Sequence, residues 1–404
     1  MRKEIGQRFL FSILFKETLI TPASSPQVRF QPYITLDAWR GIACLMVIIY
    51  HSALELNGGY PVTSWLGNGA LGVQLFFVIS GFCIANAADS ALRKQQLIPF
   101  LIARVRRIFP AYWISLGLIL LLKVGISAFG GIQGKSTLAS DSLSSSPLYY
   151  FSNFALLNYW KWTQSEFISR VAWTLCFEIS FYVIVSGALW LALKSNSRDR
   201  MLDVMHSLTA LCLIGSFFSN SLVPFPLTLW PQFGLGVLVY DFLSASQVPQ
   251  RKQKVKWLFL LIGALVLALV LRPGLPNMVV EALGDKGFIV ALLFSGLLVA
   301  AFRYDKTISE FAPVRALAFV GTFSYSLYLV HFPIIMGANR LLHNRLSAWP
   351  DTIHLAFLSL VAILASYLFF LVAEKPFLKK VPPSSRKLNV VTDREGKLIS
   401  SSTS

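Results

Sequence analysis

Apolar stretches long enough to cross a bilayer recur along most of this chain, and that recurrence limits its fold more than any other feature. They fall at roughly 38–56, 70–87, 109–127, 172–193, 205–220, 228–244, 256–271, 288–302, 318–341 and 353–374. Lipid offers no hydrogen-bond partners, so a backbone inside it must satisfy its own N–H and C=O groups. Stretches of this length do so as helices. The expectation is an all-α fold: a polytopic integral membrane bundle of about ten transmembrane helices. Only 14% of the 404 residues are charged, against about 25% in a soluble globular protein, and the mean hydropathy is +0.61.

Charge then orients the bundle. The net charge is +17, which in a soluble chain would raise nucleic acid as a partner. Here 28 of the 36 Lys and Arg sit in the amino-terminal arm, in alternate loops and in the tail, and seven sit in the remaining loops. Basic residues spread along one membrane face read as topology signals, so the lipid bilayer is the expected partner and nucleic acid is excluded. Both termini are expected in the cytoplasm. The chain divides into an arm over 1–35, a membrane-embedded domain over 36–377 and a Ser-, Lys- and Pro-rich tail over 378–404, expected to be disordered. The apolar run Phe9–Phe15 is short and lacks a small-residue cleavage site, so it reads as part of the arm rather than a signal peptide. Cys44, Cys83, Cys176 and Cys212 all fall in apolar segments without metal-ligand spacing, and neither a disulfide framework nor a metal site is expected.

Polar residues inside the apolar stretches are the candidates for function, because ionisable groups at membrane depth are costly and are kept where they pair or do chemistry. In LDAWRGIACLMVIIYH, Arg40 and His51 are eleven residues apart. That is about three helical turns, so both project from one face, about 16 Å apart along the axis. Glu178 in WTLCFEISFY and His331 in FSYSLYLVHFP fall at the same expected depth as His51. His51 reads as a general base, or as a histidine bridging helices. Glu178 reads as the carboxylate that orients it, or as a structural partner. Arg104, Arg106 and Arg107 before IFPAYW could grip phosphates; taken alone they fit a basic anchor beside an aromatic belt better. The small residues of GVQLFFVISGF fit close helix packing. Ser324, Tyr325, Tyr328 and Pro333 fit a polar cavity wall or a proline-kinked packing helix equally well.

The ordered set LDxxRG, a histidine after nine intervening residues, GVxLFFVISGF, RxxRIFPxYW, WTLxFE, FSYSLYLVHFP and a closing EKP resembles the membrane-bound acyltransferase-3 family, the bacterial envelope O-acyltransferases. The likeness runs from about Leu36 to Pro376. It implies a catalytic set of His51, Glu178 and Arg40. Donor-binding residues would be Arg104, Arg107 and Tyr112, and a substrate cavity would hold His331, Tyr325, Ser324 and Trp173. Two departures stand out. Gln74 occupies a place often acidic in the family, and Ile179 and Ser180 replace a frequent Glu-Gln, so no second carboxylate is expected near the first.

The implied activity is transfer of a short acyl group, acetyl above all, from cytoplasmic acyl-CoA to a hydroxyl of an envelope glycan or glycolipid. Acyl-CoA is then a co-substrate rather than a bound cofactor. The expected location is the bacterial inner membrane, and a homo-oligomer is compatible with it. With no fused hydrolase segment after the apolar part, acceptor handling is expected within the membrane domain or through a separate partner. The competing class is a transporter or flippase of a glycan or lipid-linked substrate, although the sequence lacks the internal inverted symmetry such folds carry.

Overall fold

A computed structural model describes residues 33–56, 66–129, 146–160, 166–218, 223, 225–245, 249–271, 286–346 and 348–378. The amino-terminal arm up to Pro32, the loop around Gly58 and the tail from Lys379 lie outside the described residues. Among those described, the regular structure is helical throughout. The elements are α1 (Leu36–Ala53), α2 (Gly72–Arg93), α3 (Leu97–Phe129), α4 (Pro147–Ala155), α5 (Trp173–Ser195), α6 (Arg198–Phe218) and α7 (Trp230–Ser244). They continue as α8 (Pro249–Leu271), α9 (Lys286–Phe302), α10 (Asp305–Ser309), α11 (Ala312–Thr322), α12 (Ser324–Leu346) and α13 (Asp351–Phe369). Helix α4 falls in a stretch that sequence patterning treats as loop.

Among the described residues, four helical segments have the length and apolarity to cross a membrane: Gly67–Arg93, Leu97–Val124, Arg170–Ser195 and Asp351–Phe377. A fifth arises if α11 and α12, bent by 75° at their junction, form one span. That is fewer than the ten read from hydropathy. Helices α7 and α9 have 15 and 17 residues, below the ~20 that a perpendicular crossing takes. Helix α1 has 18 but gives positions to Asp37, Arg40 and His51. Leu121, Val183, Leu211, Leu261, Leu293 and Val372 are each more than 60% exposed, an outward apolar surface suited to lipid.

Helix α7 is apolar on every side because every side is covered; all residues from Trp230 to Asp241 are buried. It packs on α2, α6, α8 and α9. Its contact with α2 depends on two glycines. A Cβ on Gly81 would overlap the Phe233 carbonyl, and one on Gly236 would overlap the Val78 carbonyl. Helices α1 and α11 approach through the same device, with Gly41 against Leu317 and Gly321 against Asp37. Backbone cannot give way as a side-chain tip can. Gly236→Val is therefore expected to destabilise the bundle by about 3 kcal/mol. Thermal unfolding in detergent reads this, and a wild-type midpoint would refute the close-approach argument.

The bend between α11 and α12 lies at Phe323 rather than at Pro333, which α12 carries through without a break. Phe323 wedges edge-on against Phe319 and Tyr367. The amino-terminal N–H groups that the break exposes find a partner far along the chain. Glu374 Oε2 accepts from the Ser326 N–H at 3.1 Å and the Ser326 hydroxyl at 2.6 Å. A buried carboxylate at a helix start satisfies free donors and meets the positive end of the helix dipole. This assigns a physical task to the closing EKP.

Candidate functional site

A cavity opens between α1, α2, α3, α5 and α12. It gathers Arg40, Arg104, Arg107 and Glu178, with Tyr182, Thr174, Ser324, Tyr325 and Tyr328. Arg104 and Arg107 are three residues apart on α3 and share a face, while Arg106 is exposed. They stand about 10 and 15 Å from the start of α3. The formal charge of the cavity's ionisable side chains is three positive against one negative, so it is suited to an anion.

Each arginine is held differently. Arg40 Nη1 donates to Asp37 Oδ1 at 2.5 Å, and Nη2 lies 3.0 Å from Cys83 Sγ. Asp37 precedes Arg40 by one turn, so the pair is local to α1. The Arg104 guanidinium lies over the rings of Phe100 and Tyr182, 5.6 and 5.9 Å from their centroids, and its Nε is buried without a hydrogen-bond partner. Tyr182 donates its hydroxyl to Glu178, one turn earlier on α5. Tyr325 donates to the Ile108 carbonyl at 2.8 Å and Thr174 pairs with Tyr328 at 2.6 Å, tying α12 to α3 and α5.

His51 and His331 sit one turn beyond this cavity. Val47 and Tyr328 line it, and the histidines follow them by four residues on α1 and three on α12. The two imidazoles meet tilted by 49°, with centroids 5.1 Å apart, and Phe332 lies 5.0 Å from His51. His331 Nδ1 is 2.9 Å from the carbonyls of both Leu327 and Tyr328. Carbonyls only accept, so Nδ1 carries the hydrogen, and Nε2 presents a lone pair when the ring is neutral. That Nε2 and the Nδ1 of His51 are both buried without a partner.

The expected pairing of His51 with Glu178 is replaced by this histidine–histidine contact. Among the described residues, the hydrogen-bond partner of Glu178 is Tyr182, and its cavity neighbours include the arginines. Tyr112 does not line the cavity; it is fully buried and donates to the Asn153 carbonyl at 2.7 Å, tying α3 to α4. Trp173 is likewise outside the lining and meets Phe177 edge-to-face at 6.0 Å. Sequence reasoning passed over Tyr182, although its spacing of four from Glu178 is a helical-face signal. It also passed over Cys83 and Thr174, which no local pattern marks. Among the described residues, no three His, Cys, Asp or Glu side chains gather to hold a metal ion.

Comparisons with known proteins agree on one family. A family model described as "Acyltransferase domain", the acyltransferase-3 type, matches residues 33–371. Peptidoglycan O-acetyltransferase OatA of Listeria monocytogenes is 25% identical over 321 residues, covering 74% of this chain and 49% of its own length. A candidate O-acetyltransferase of Staphylococcus aureus is 28% identical over 336 residues, covering 76% of this chain and 51% of its own. The candidate membrane-bound transacylase BcsY of Komagataeibacter xylinus is 25% identical over 315 residues, covering 76% and 74%. The chain thus spans about half the length of the first two relatives. No solved structure matches it.

Proposed function

Because this chain belongs to the acyltransferase-3 family of membrane proteins, we propose that it transfers an acetyl group from acetyl-CoA to a hydroxyl of an envelope glycan or glycolipid. The observation that carries this reading is the arginine-lined cavity with two unpartnered imidazole nitrogens one turn beyond it. Arg40, Arg104 and Arg107 supply donors for the phosphates of a coenzyme A thioester, whose acyl end would lie toward the histidines. His51 then takes the proton of the acceptor hydroxyl as that oxygen attacks the thioester carbonyl. The C–S bond breaks, the leaving thiolate takes up a proton, and the products are the O-acetyl ester and free coenzyme A.

In this reading the protein lies in the bacterial inner membrane with both termini in the cytoplasm, as the basic asymmetry of the loops favours. The Arg40 end of α1 faces the donor, and His51 lies toward the acceptor. About ten crossings follow if α1, α6, α7, α8 and α9 also cross, tilted or leaning on their neighbours. Nothing in the comparisons favours the transport alternative. Membranes holding the protein should move label from [acetyl]-labelled acetyl-CoA into an alkali-labile ester on envelope polysaccharide, and membranes without it should not. Equal labelling in both would end the acyltransferase reading.

A further inference from the structure

Past the histidines, α1 closes on a second polar cluster for which the reaction above has no task. Glu55 lies four residues after His51, in the turn that ends the helix. Its Oε2 accepts from Asn339 Nδ2 at 3.0 Å, and its main-chain carbonyl accepts from the same amide at 3.1 Å. Asn339 Oδ1 is 3.0 Å from His354 Nε2. The sense of this chain is fixed. The amide nitrogen is committed to Glu55, so the amide oxygen accepts and His354 Nε2 donates. Asn339 and His354 are 8% and 1% exposed, whereas Glu55 is partly exposed and its Oε1 has no partner among the described residues.

Two buried polar side chains from α12 and α13 therefore serve to aim one carboxylate from α1. Packing alone does not call for this, since apolar residues would fill the same volume without desolvating an amide and an imidazole. A second observation points to a ligand. Between Glu55 and the arginine cavity lie His51 Nδ1 and His331 Nε2, both buried and unpartnered, and His331 is wholly buried. With both imidazoles neutral, Glu55 Oε1 and His331 Nε2 are hydrogen-bond acceptors. They are complementary to a neutral molecule rich in hydroxyls and poorly matched to a phosphate or a carboxylate. Glu55 is also about 22 Å along α1 from Arg40, so such a molecule enters from the end opposite the anion-suited cavity.

We propose that Glu55 is the acceptor-binding carboxylate of this site, receiving a hydroxyl of a polyhydroxylated carbohydrate next to the hydroxyl that His51 deprotonates. Asn339 and His354 act as positioning residues for it. The inference rests on the acyltransferase reading.

The test uses membrane vesicles holding the full chain, labelled acetyl-CoA, and total envelope polysaccharide of the producing cell as the acceptor probe. Glu55→Ala should raise the apparent KM for polysaccharide about 10- to 100-fold and leave the KM for acetyl-CoA unchanged. Asn339→Leu keeps the carboxylate but frees it, so it should raise the same constant by a smaller factor. If Glu55→Ala does not accumulate, Glu55→Gln keeps the shape and the Asn339 bond and is read in the same way. A wild-type polysaccharide KM in the Glu55 variant overturns this inference alone, as does a rise confined to the acetyl-CoA KM. If the wild-type protein labels no polysaccharide, the acyltransferase reading falls and this inference with it.

Discussion

His51→Ala should lower acetyl transfer by about 10²–10⁴-fold while the protein remains inserted and monodisperse in detergent. The size follows from what general base catalysis contributes, and the selectivity follows from the surroundings of the ring. His51 is partly exposed and its Nδ1 has no hydrogen-bond partner, so no helix–helix bond is lost with the imidazole. Its contacts are with the rings of Tyr50, His331 and Phe332, which can close partly over an alanine. His331 should behave as part of the same unit. Its Nδ1 is committed to two main-chain carbonyls, and its ring centroid lies 5.1 Å from that of His51. The double variant His51→Ala/His331→Ala should then be scarcely slower than His51→Ala alone. Multiplicative losses would separate the two roles. Near-normal transfer by His51→Ala would take the base out of the mechanism and leave the histidine pair as packing between α1 and α12.

Sequence patterning reached the contents of single helices and stopped where helices meet. Arg40 and His51 on one face of α1 follow from a spacing of eleven, and Arg104 with Arg107 from a spacing of three; both are properties of a helix with 3.6 residues per turn. Depth also follows from hydropathy, which is why Glu178 looked like the companion of His51. Equal depth does not give lateral position. In the fold, Glu178 is taken by Tyr182 on its own helix and faces the arginines, and the neighbour of His51 comes from α12.

The bend shows the same boundary. Pro333 is the local signal for a kink, yet α12 passes through it. The break comes ten residues earlier, where Glu374, 48 residues from Ser326, supplies the partner for a new helix start. Tyr112 stands in an aromatic cluster just after a basic run, and the family resemblance implied a donor-binding role for it. Its burial depends on Asn153 in α4, within a stretch whose composition gave no reason to expect a helix. Glu55 was hidden for a similar reason. Its partners Asn339 and His354 lie nearly three hundred residues away, and each alone is an ordinary polar residue near a helix end.

Arg104→Ala and Arg107→Ala should each raise the KM for acetyl-CoA about 10- to 100-fold, the range expected when a hydrogen bond to a charged group is lost. The two lysine replacements should differ. Arg104 lies over Phe100 and Tyr182 as a flat group, and an ammonium cannot reproduce that stacking, so Arg104→Lys should recover little. Among the described residues no ring lies under Arg107 in this way, and Arg107→Lys should recover more. Glu178→Gln tests the same cavity from its negative side. If Glu178 orders Tyr182 and balances the arginines, the variant should change the acetyl-CoA constant and leave the polysaccharide constant alone. A change confined to the acceptor constant would instead return Glu178 to the company of His51. Wild-type donor constants in all of these variants would mean that the arginines only fix topology, and the donor would have to bind elsewhere. A partial result is also informative: an effect at Arg107 without one at Arg104 would place the phosphates at the Arg107 side of the cavity.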